Sequence, residues 1–116
     1  MKTTNLAYIR FLNYLDAIGR TDSKALNAAE EQLLNYIAIE DSKGEQLLVG
    51  DLIRLSQYGS QATLHGRLKS LAAMGYIKLT EDKKDGRKKL VAPTAKAMKY
   101  YEKLSAYLEK AAKTTQ

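Results

Sequence analysis

The chain has 116 residues, 45% of them hydrophobic and 28% charged, and a formal net charge of +6. That length supports one domain with a real core and is too short for two. The absence of cysteine and the single histidine exclude disulfides, thiolate metal centres and cysteine redox chemistry, and no apolar run approaches the roughly 18 residues that span a bilayer.

Leu6, Ile9, Leu12, Leu15 and Ile18 recur at three-residue steps, with Tyr8 and Phe11 widening the stripe. This predicts an amphipathic helix over about residues 5–19, stopped by Gly19. Arg10, Asn13 and Asp16 interrupt the same stretch, so no signal peptide is expected. Asn27 with Glu30 is an Asn-x-x-Glu capping signature for a second helix starting at residue 28. Leu33, Leu34, Ile37 and Ile39 carry that helix to about Asp41, and Ser42-Lys43-Gly44 closes it. Leu47-Leu48, with at most a residue or two of strand, leads into a helix over Gly50–Leu55, expected to make about two turns.

Ser56 to Ser60 is a turn rich in breakers. Ser60 caps the next helix by accepting from the amide of residue 62 or 63. Leu64, Leu68 and Leu71 fall on one face of it as the buried stripe, and Gly75 stands where a left-handed C-terminal cap is wanted. Tyr76–Thr80 and Lys88–Ala92 alternate as strands, joined by a hairpin tip over Glu81–Arg87 that contains Asp85-Gly86. Pro93 ends the second strand, Thr94 caps a last helix over about 95–112, and the tail Lys113–Gln116 should fray. The expected fold is mainly α with a small β-hairpin (α+β), in the order α-α-α-α-β-β-α.

Charge follows this order. Residues 60–99 hold ten Lys/Arg against three acids, net +7, while the rest holds nine against ten, net −1. A clustered positive block points to a polyanion, with nucleic acid the default partner. A capped helix followed directly by a basic hairpin is how a winged helix-turn-helix meets DNA. If Leu64, Leu68 and Leu71 face the core, the opposite face carries Ala62, Gly66, Lys69 and Ala73, flanked by His65 and Ser70, with Ser60, Gln61 and Thr63 at the helix start. His65, Gln61 and Thr63 can reach base edges or phosphates; the bland reading of His65 is a solvated surface residue. Gly66 costs roughly 1 kcal/mol in mid-helix relative to alanine. It reads as close backbone approach to DNA, as an exposed site free to drift, or as room for a neighbouring side chain. In the hairpin, Lys83, Lys84, Lys88 and Lys89 suit phosphates, and Asp85 either orients Arg87 or favours the turn at Gly86. The bland reading of all of them is a solvated charged loop.

Over residues 27–97 the sequence resembles the MarR family of bacterial and archaeal winged-helix regulators. Leu48-Val49-Gly50-Asp51-Leu52 is similar to the family's hydrophobic-Val-Gly-Glu-Leu approach to its scaffold helix. Ser60 through Ile77 follows the recognition-helix pattern, with Thr63, Leu64, Leu68, Leu71, Gly75 and Ile77 in register. Asp85-Gly86-Arg87, then Leu90-Val91 and Thr94, resembles the Asp-x-Arg wing and the start of the next helix. The chain departs from the pattern at Gly66, where the family places arginine or another long polar residue, and it is short for the family. The resemblance implies a cytoplasmic, homodimeric regulator of transcription, more often a repressor than an activator. Helix 60–74 would lie in the major groove of an inverted-repeat operator, with wing 81–89 and Arg87 at the minor groove.

The resemblance also implies that the first and last helices interlock in the dimer. Their apolar surface says the same: Tyr8, Phe11, Leu12 and Leu15 on one, Met98, Tyr101, Leu104 and Leu108 on the other. Alternatively, the two helices pack only on each other within one protomer. Relatives respond to aromatic ligands in a cleft, which Tyr8, Tyr14, Tyr36, Tyr58, Tyr100 and Tyr101 are candidates to line; ordinary packing explains them equally, and no effector is assigned. No catalytic residues, cofactor or metal are expected, because paired acids on a plausible site and a phosphate-cradling glycine loop are missing. The competing function is a winged-helix protein-protein adaptor or assembly factor, which would not need the positive wing.

Overall fold

The computed structural model describes residues 5–21 and 25–113. The fraying expected at 114–116 lies outside the described residues. The chain divides into two compact units, one of Leu26–Met98 and one of Met1–Ala25 with Lys99–Gln116.

Helix α1 (Ala7–Thr21) belongs to the other unit, and the first element of the Leu26–Met98 unit is α2 (Ala28–Ser42). Its start is the capping box read from the sequence. The Asn27 side chain accepts from the Glu30 amide at 2.8 Å, and the Glu30 carboxylate accepts from the Asn27 amide at 3.0 Å. Strand β1 (Leu47–Leu48) leads into α3 (Val49–Leu52). The expected two-turn helix is a single turn. After Ile53 the amides of Arg54 and Leu55 bond three residues back, to Asp51 and Leu52, and this tighter winding runs into a 3₁₀ turn over Ser56–Tyr58 instead of extending the α-helix.

Helix α4 (Gln61–Ala73) is capped by Ser60, whose hydroxyl accepts from the Thr63 amide at 3.2 Å. At its other end Gly75 adopts φ +85°. The Tyr76 amide donates to the Leu71 carbonyl at 2.9 Å and the Gly75 amide to Ala72 at 3.0 Å, the paired bonds of a Schellman cap. That cap engages Tyr76, so β2 (Ile77–Glu81) starts one residue later than expected, and its partner β3 (Lys89–Pro93) shifts with it. The sheet is antiparallel in the order β1-β3-β2, with Leu79 and Leu47 both opposite Val91 and Ile77 opposite Pro93. Proline lacks a ladder donor and sits at the very end of the central strand, as its chemistry requires. Helix α5 (Ala95–Lys113) follows, its first turn held by Thr94 Oγ1, which accepts from the Ala97 amide at 3.3 Å.

The core of this unit is Leu33, Leu34, Ile37, Leu52, Leu64, Leu68 and Leu71, each under 2% exposed. Burying such a side chain contributes about 1.5–3 kcal/mol, so packing of α2, α3 and α4 is the main force that holds α4 in place. Tyr76, Ile77 and Val91 join the sheet to this cluster.

The other unit pairs α1 (Ala7–Thr21) with α5 from Lys99 onward. Arg10 donates from Nε and Nη2 to the Ala111 carbonyl at 3.1 and 2.8 Å. This satisfies one of the carbonyls that a helix C-terminus leaves open. Tyr14 stacks on Tyr107 at 5.3 Å between ring centroids, and Lys110 lies over the Tyr14 ring. α1 continues two residues past Gly19. Gly19 does not take a positive φ, so it is an ordinary helical residue and not the stop expected of it.

Candidate nucleic-acid interface

The outer face of α4 is where the buried stripe puts it. Gln61, Ala62, Thr63, His65, Gly66, Lys69 and Ala73 are all exposed. Ser60 and Thr63 are engaged locally, the Ser60 hydroxyl donating to Thr63 Oγ1 at 2.9 Å. Ser70 turns inward and donates to Glu30 Oε2 at 2.6 Å. Glu30 therefore serves two ends, capping α2 and tying it to α4. Arg67 reaches back to the Tyr58 carbonyl at 2.8 Å, and Lys96 donates to the Met74 carbonyl at 2.6 Å. These bonds fix the helix in the turn before it and in the cap after it. Nothing lies within 4 Å of where a Cβ on Gly66 would stand. No neighbour in the chain needs that space, which removes one of the three readings of this glycine.

The hairpin tip is ordered by Asp85. Its Oδ1 accepts from the Arg87 amide and from Arg87 Nε, both at 3.1 Å, and Oδ2 accepts from Nη2 at 3.4 Å. Asp85 thus shapes the turn and orients the arginine at once. The Arg87 side-chain bonds, then its amide, then the charge of Lys88 hold the carboxyl below its ordinary range. The Arg87 side chain is 91% exposed, so the ion pair does little for stability and leaves the guanidinium open to solvent. Lys83, Lys84, Lys88 and Lys89 are exposed as well and have no ion-pair partner among the described residues.

A cleft of about 490 Å³ joins the two features. Its half-buried lining, the floor, is Leu48, Val49, Gly50 and Ile53; its exposed lining, the rim, is Arg54, His65, Arg87, Lys88 and Lys89, with Asp51 the single acid. His65 of α4 and the base of the hairpin are therefore brought together, whereas Lys83 and Lys84 stand apart at the tip. Arg54 was missed from the sequence, because it lies outside the basic block and reaches the rim only through the placement of α3.

Of the apolar residues expected at a dimer interface, Tyr8 is 67% exposed, Leu108 53%, and Leu12 and Met98 are also exposed. Phe11, Leu15, Tyr101 and Leu104 are half-buried. The candidate cleft tyrosines pair locally: Tyr36 with Tyr58, Tyr14 with Tyr107, Tyr100 with Tyr101. Among the described residues no cluster of three or more His, Cys, Asp or Glu could hold a metal ion, and no helix is long and apolar enough to cross a membrane.

The family model described as a winged helix DNA-binding domain matches residues 26–97. The match covers most of the chain, and the protein belongs to that family. Its fold is MarR-like. The structure of S. aureus MepR bound to ethidium bromide aligns with a TM-score of 0.66 at 16% identity, over 90% of this chain and 68% of that one. Bordetella bronchiseptica BpsR aligns with a TM-score of 0.57 at 24% identity, over 91% and 71%. Lactococcus lactis ZitR, a zinc-responsive MarR family member, aligns with a TM-score of 0.54 at 21% identity, over 92% and 79%. At these identities the likeness is one of fold. No curated protein matches the chain.

Proposed function

We propose that this protein is a homodimeric, sequence-specific duplex-DNA-binding regulator of transcription, without enzymatic activity, that represses by occluding its operator. Helix α4 enters the major groove with Gln61, Thr63, His65 and Lys69 toward the bases and phosphates. The wing lies at the adjacent minor groove, where Arg87 meets the more negative potential of a narrow groove. Lys83, Lys84, Lys88 and Lys89 contact phosphates and position the protein. The observation that carries this reading is the convergence of α4 and the wing on one cationic cleft, with His65, Arg87, Lys88 and Lys89 on its rim. A MepR mutant of the same fold has been solved bound to an oligodeoxyribonucleotide, and BpsR is described as having its DNA binding regulated by 6-hydroxynicotinic acid; both support DNA as the partner here.

The dimer forms through α1 and α5, using Tyr8, Phe11, Leu12, Leu15, Met98, Tyr101, Leu104 and Leu108. A two-fold dimer implies an inverted-repeat operator with half-sites roughly 10 bp apart. The test is affinity for a labelled duplex of ~30 bp by fluorescence anisotropy over a salt series. If the dimer neutralises about eight phosphates, log K falls with log[salt] at a slope near −7. Negligible binding with no salt dependence would transfer the winged helix to an adaptor role, the reading that the arginine-poor face of α4 favours.

A further inference from the structure

The side chains of four arginines are described, and three have protein partners: Arg10 on the Ala111 carbonyl, Arg67 on the Tyr58 carbonyl and Arg87 on Asp85. Arg54 has none among the described residues. It is exposed. Both terminal nitrogens lie about 4.0 Å from where a Cβ on Gly50 would stand, which places the group beside the start of α3 and in the lining of the cleft. Asp51 lines the same cleft without pairing to it. A charged fork held at a concave wall, with no carboxylate or carbonyl to satisfy it, is shaped for an anion that arrives from outside.

From the placement of this group we infer that Arg54 binds a backbone phosphodiester of the duplex, at the point where the strand passes from α4 to the wing. The inference rests on the DNA-binding reading and adds to it a third contact element, the turn that follows α3, from outside the helix and the hairpin. The cleft walls explain why one more cation counts there. Arg54 and His65 line the cleft together with Arg87, Lys88 and Lys89, so a phosphate there meets the positive charge of Arg54 and of the hairpin base, with His65 as a further hydrogen-bonding group and only Asp51 opposing. Apolar Leu48, Val49 and Ile53 beneath lower the local dielectric and focus that field. A phosphate contact positions without reading sequence, so the role predicts a signature separable from base recognition.

The experiment is the anisotropy salt series on a random-sequence duplex of ~30 bp, comparing the native protein with Arg54→Gln, Arg54→Lys and Lys103→Ala. Lys103→Ala removes one exposed charge from α5 and controls for net charge. Arg54→Gln should weaken binding uniformly over unrelated sequences and make the salt slope shallower by about 0.9 per protomer. Arg54→Lys should keep the slope while losing affinity, because the point charge remains and the two-pronged contact is lost. Lys103→Ala should keep the native slope. Circular dichroism melts should be unchanged for all three, since neither residue has a structural partner. A steep native slope that Arg54→Gln leaves intact overturns this inference alone. An absent native slope overturns the DNA-binding reading and this inference with it.

Discussion

Gly66 offers the sharpest separation between stability and binding. It lies in the middle of the 13-residue helix α4 with open space where a Cβ would stand, and its φ is not positive. Gly66→Ala therefore adds a methyl group without a clash and removes the conformational entropy that a helical glycine loses, a gain of about 0.5–1 kcal/mol. For a domain of this size 1 kcal/mol moves the melting temperature by about 4–8 °C, so the midpoint should rise by about 2–8 °C. Gly66→Leu should be stabilised almost as much, because leucine is also a good helix former and the site is exposed. Their binding should part company. The leucine side chain would stand between the helix backbone and the floor of the major groove, lowering affinity at least about tenfold, or ~1.4 kcal/mol. Thermal melts by circular dichroism and anisotropy on one duplex measure both quantities on the same samples. If Gly66→Leu binds as tightly as the native protein, no close approach occurs there and the glycine is simply an exposed residue. If Gly66→Ala lowers the melting temperature, the open geometry assigned to this site is wrong.

Arg87→Ala should leave the fold intact, since its side chain is 91% exposed, but should weaken duplex binding and flatten the salt slope; unchanged affinity would remove the wing from the mechanism. The Asp85 carboxyl is held below its ordinary 3.8 by Arg87 and Lys88, so its contribution to wing order is complete above that pH and disappears as pH falls below it through the folded-state value. The Arg87 Nε–H resonance should therefore shift on acidification from about pH 5 to about pH 2, and should not do so in Asp85→Asn. Leu108→Glu places charge on the exposed apolar face of α5; Leu108 is 53% exposed, so covering the rest is worth about 0.8–1.5 kcal/mol, and in an isologous interface it counts twice, so dimer dissociation should rise by roughly one to two orders of magnitude. Sedimentation equilibrium of the native protein and the variant reads this directly, and a monomeric native protein would refute the dimer.

The parts of the fold legible in the sequence were those set by local chemistry. Asn27 with Glu30, Ser60, Gly75 and Thr94 each mark a helix end because one side chain or one positive φ satisfies a backbone group a few residues away. The misread parts depended on longer range. Gly50–Leu55 carries a helical pattern, but three-residue backbone bonds and the following 3₁₀ turn leave it one turn long. Tyr76 has the composition of a strand residue, yet its amide is engaged by the cap of α4. Gly19 looked like a stop and is not one, because a glycine ends a helix only where the chain needs a left-handed residue. The helical spacing puts Ser70 beside the outer face, whereas its hydroxyl donates to Glu30, forty residues earlier. The same limit hid Arg54. Its neighbours on the cleft rim are eleven or more residues away in sequence, and no local pattern records that the turn before α4 folds it toward the wing.

Charge in the Leu26–Met98 unit is separated along the chain. Residues 26–59 hold two Lys/Arg against six acids, net −4, and residues 60–98 hold nine against three, net +6. The unit as a whole is only +2, too little for net charge to be its handle on a polyanion. What it has is separation: acids on α2 and the α2–β1 turn, bases on α4 and the hairpin. A dipolar lobe of low net charge is attracted to DNA in one orientation and repelled in the other, which aligns the basic face during encounter without strong non-specific adhesion elsewhere. Arg54 is the exception, a base within the acidic half that borders the basic face. Its position on the cleft rim, where the halves meet, is where a single added charge acts on a bound phosphate and not on the lobe as a whole.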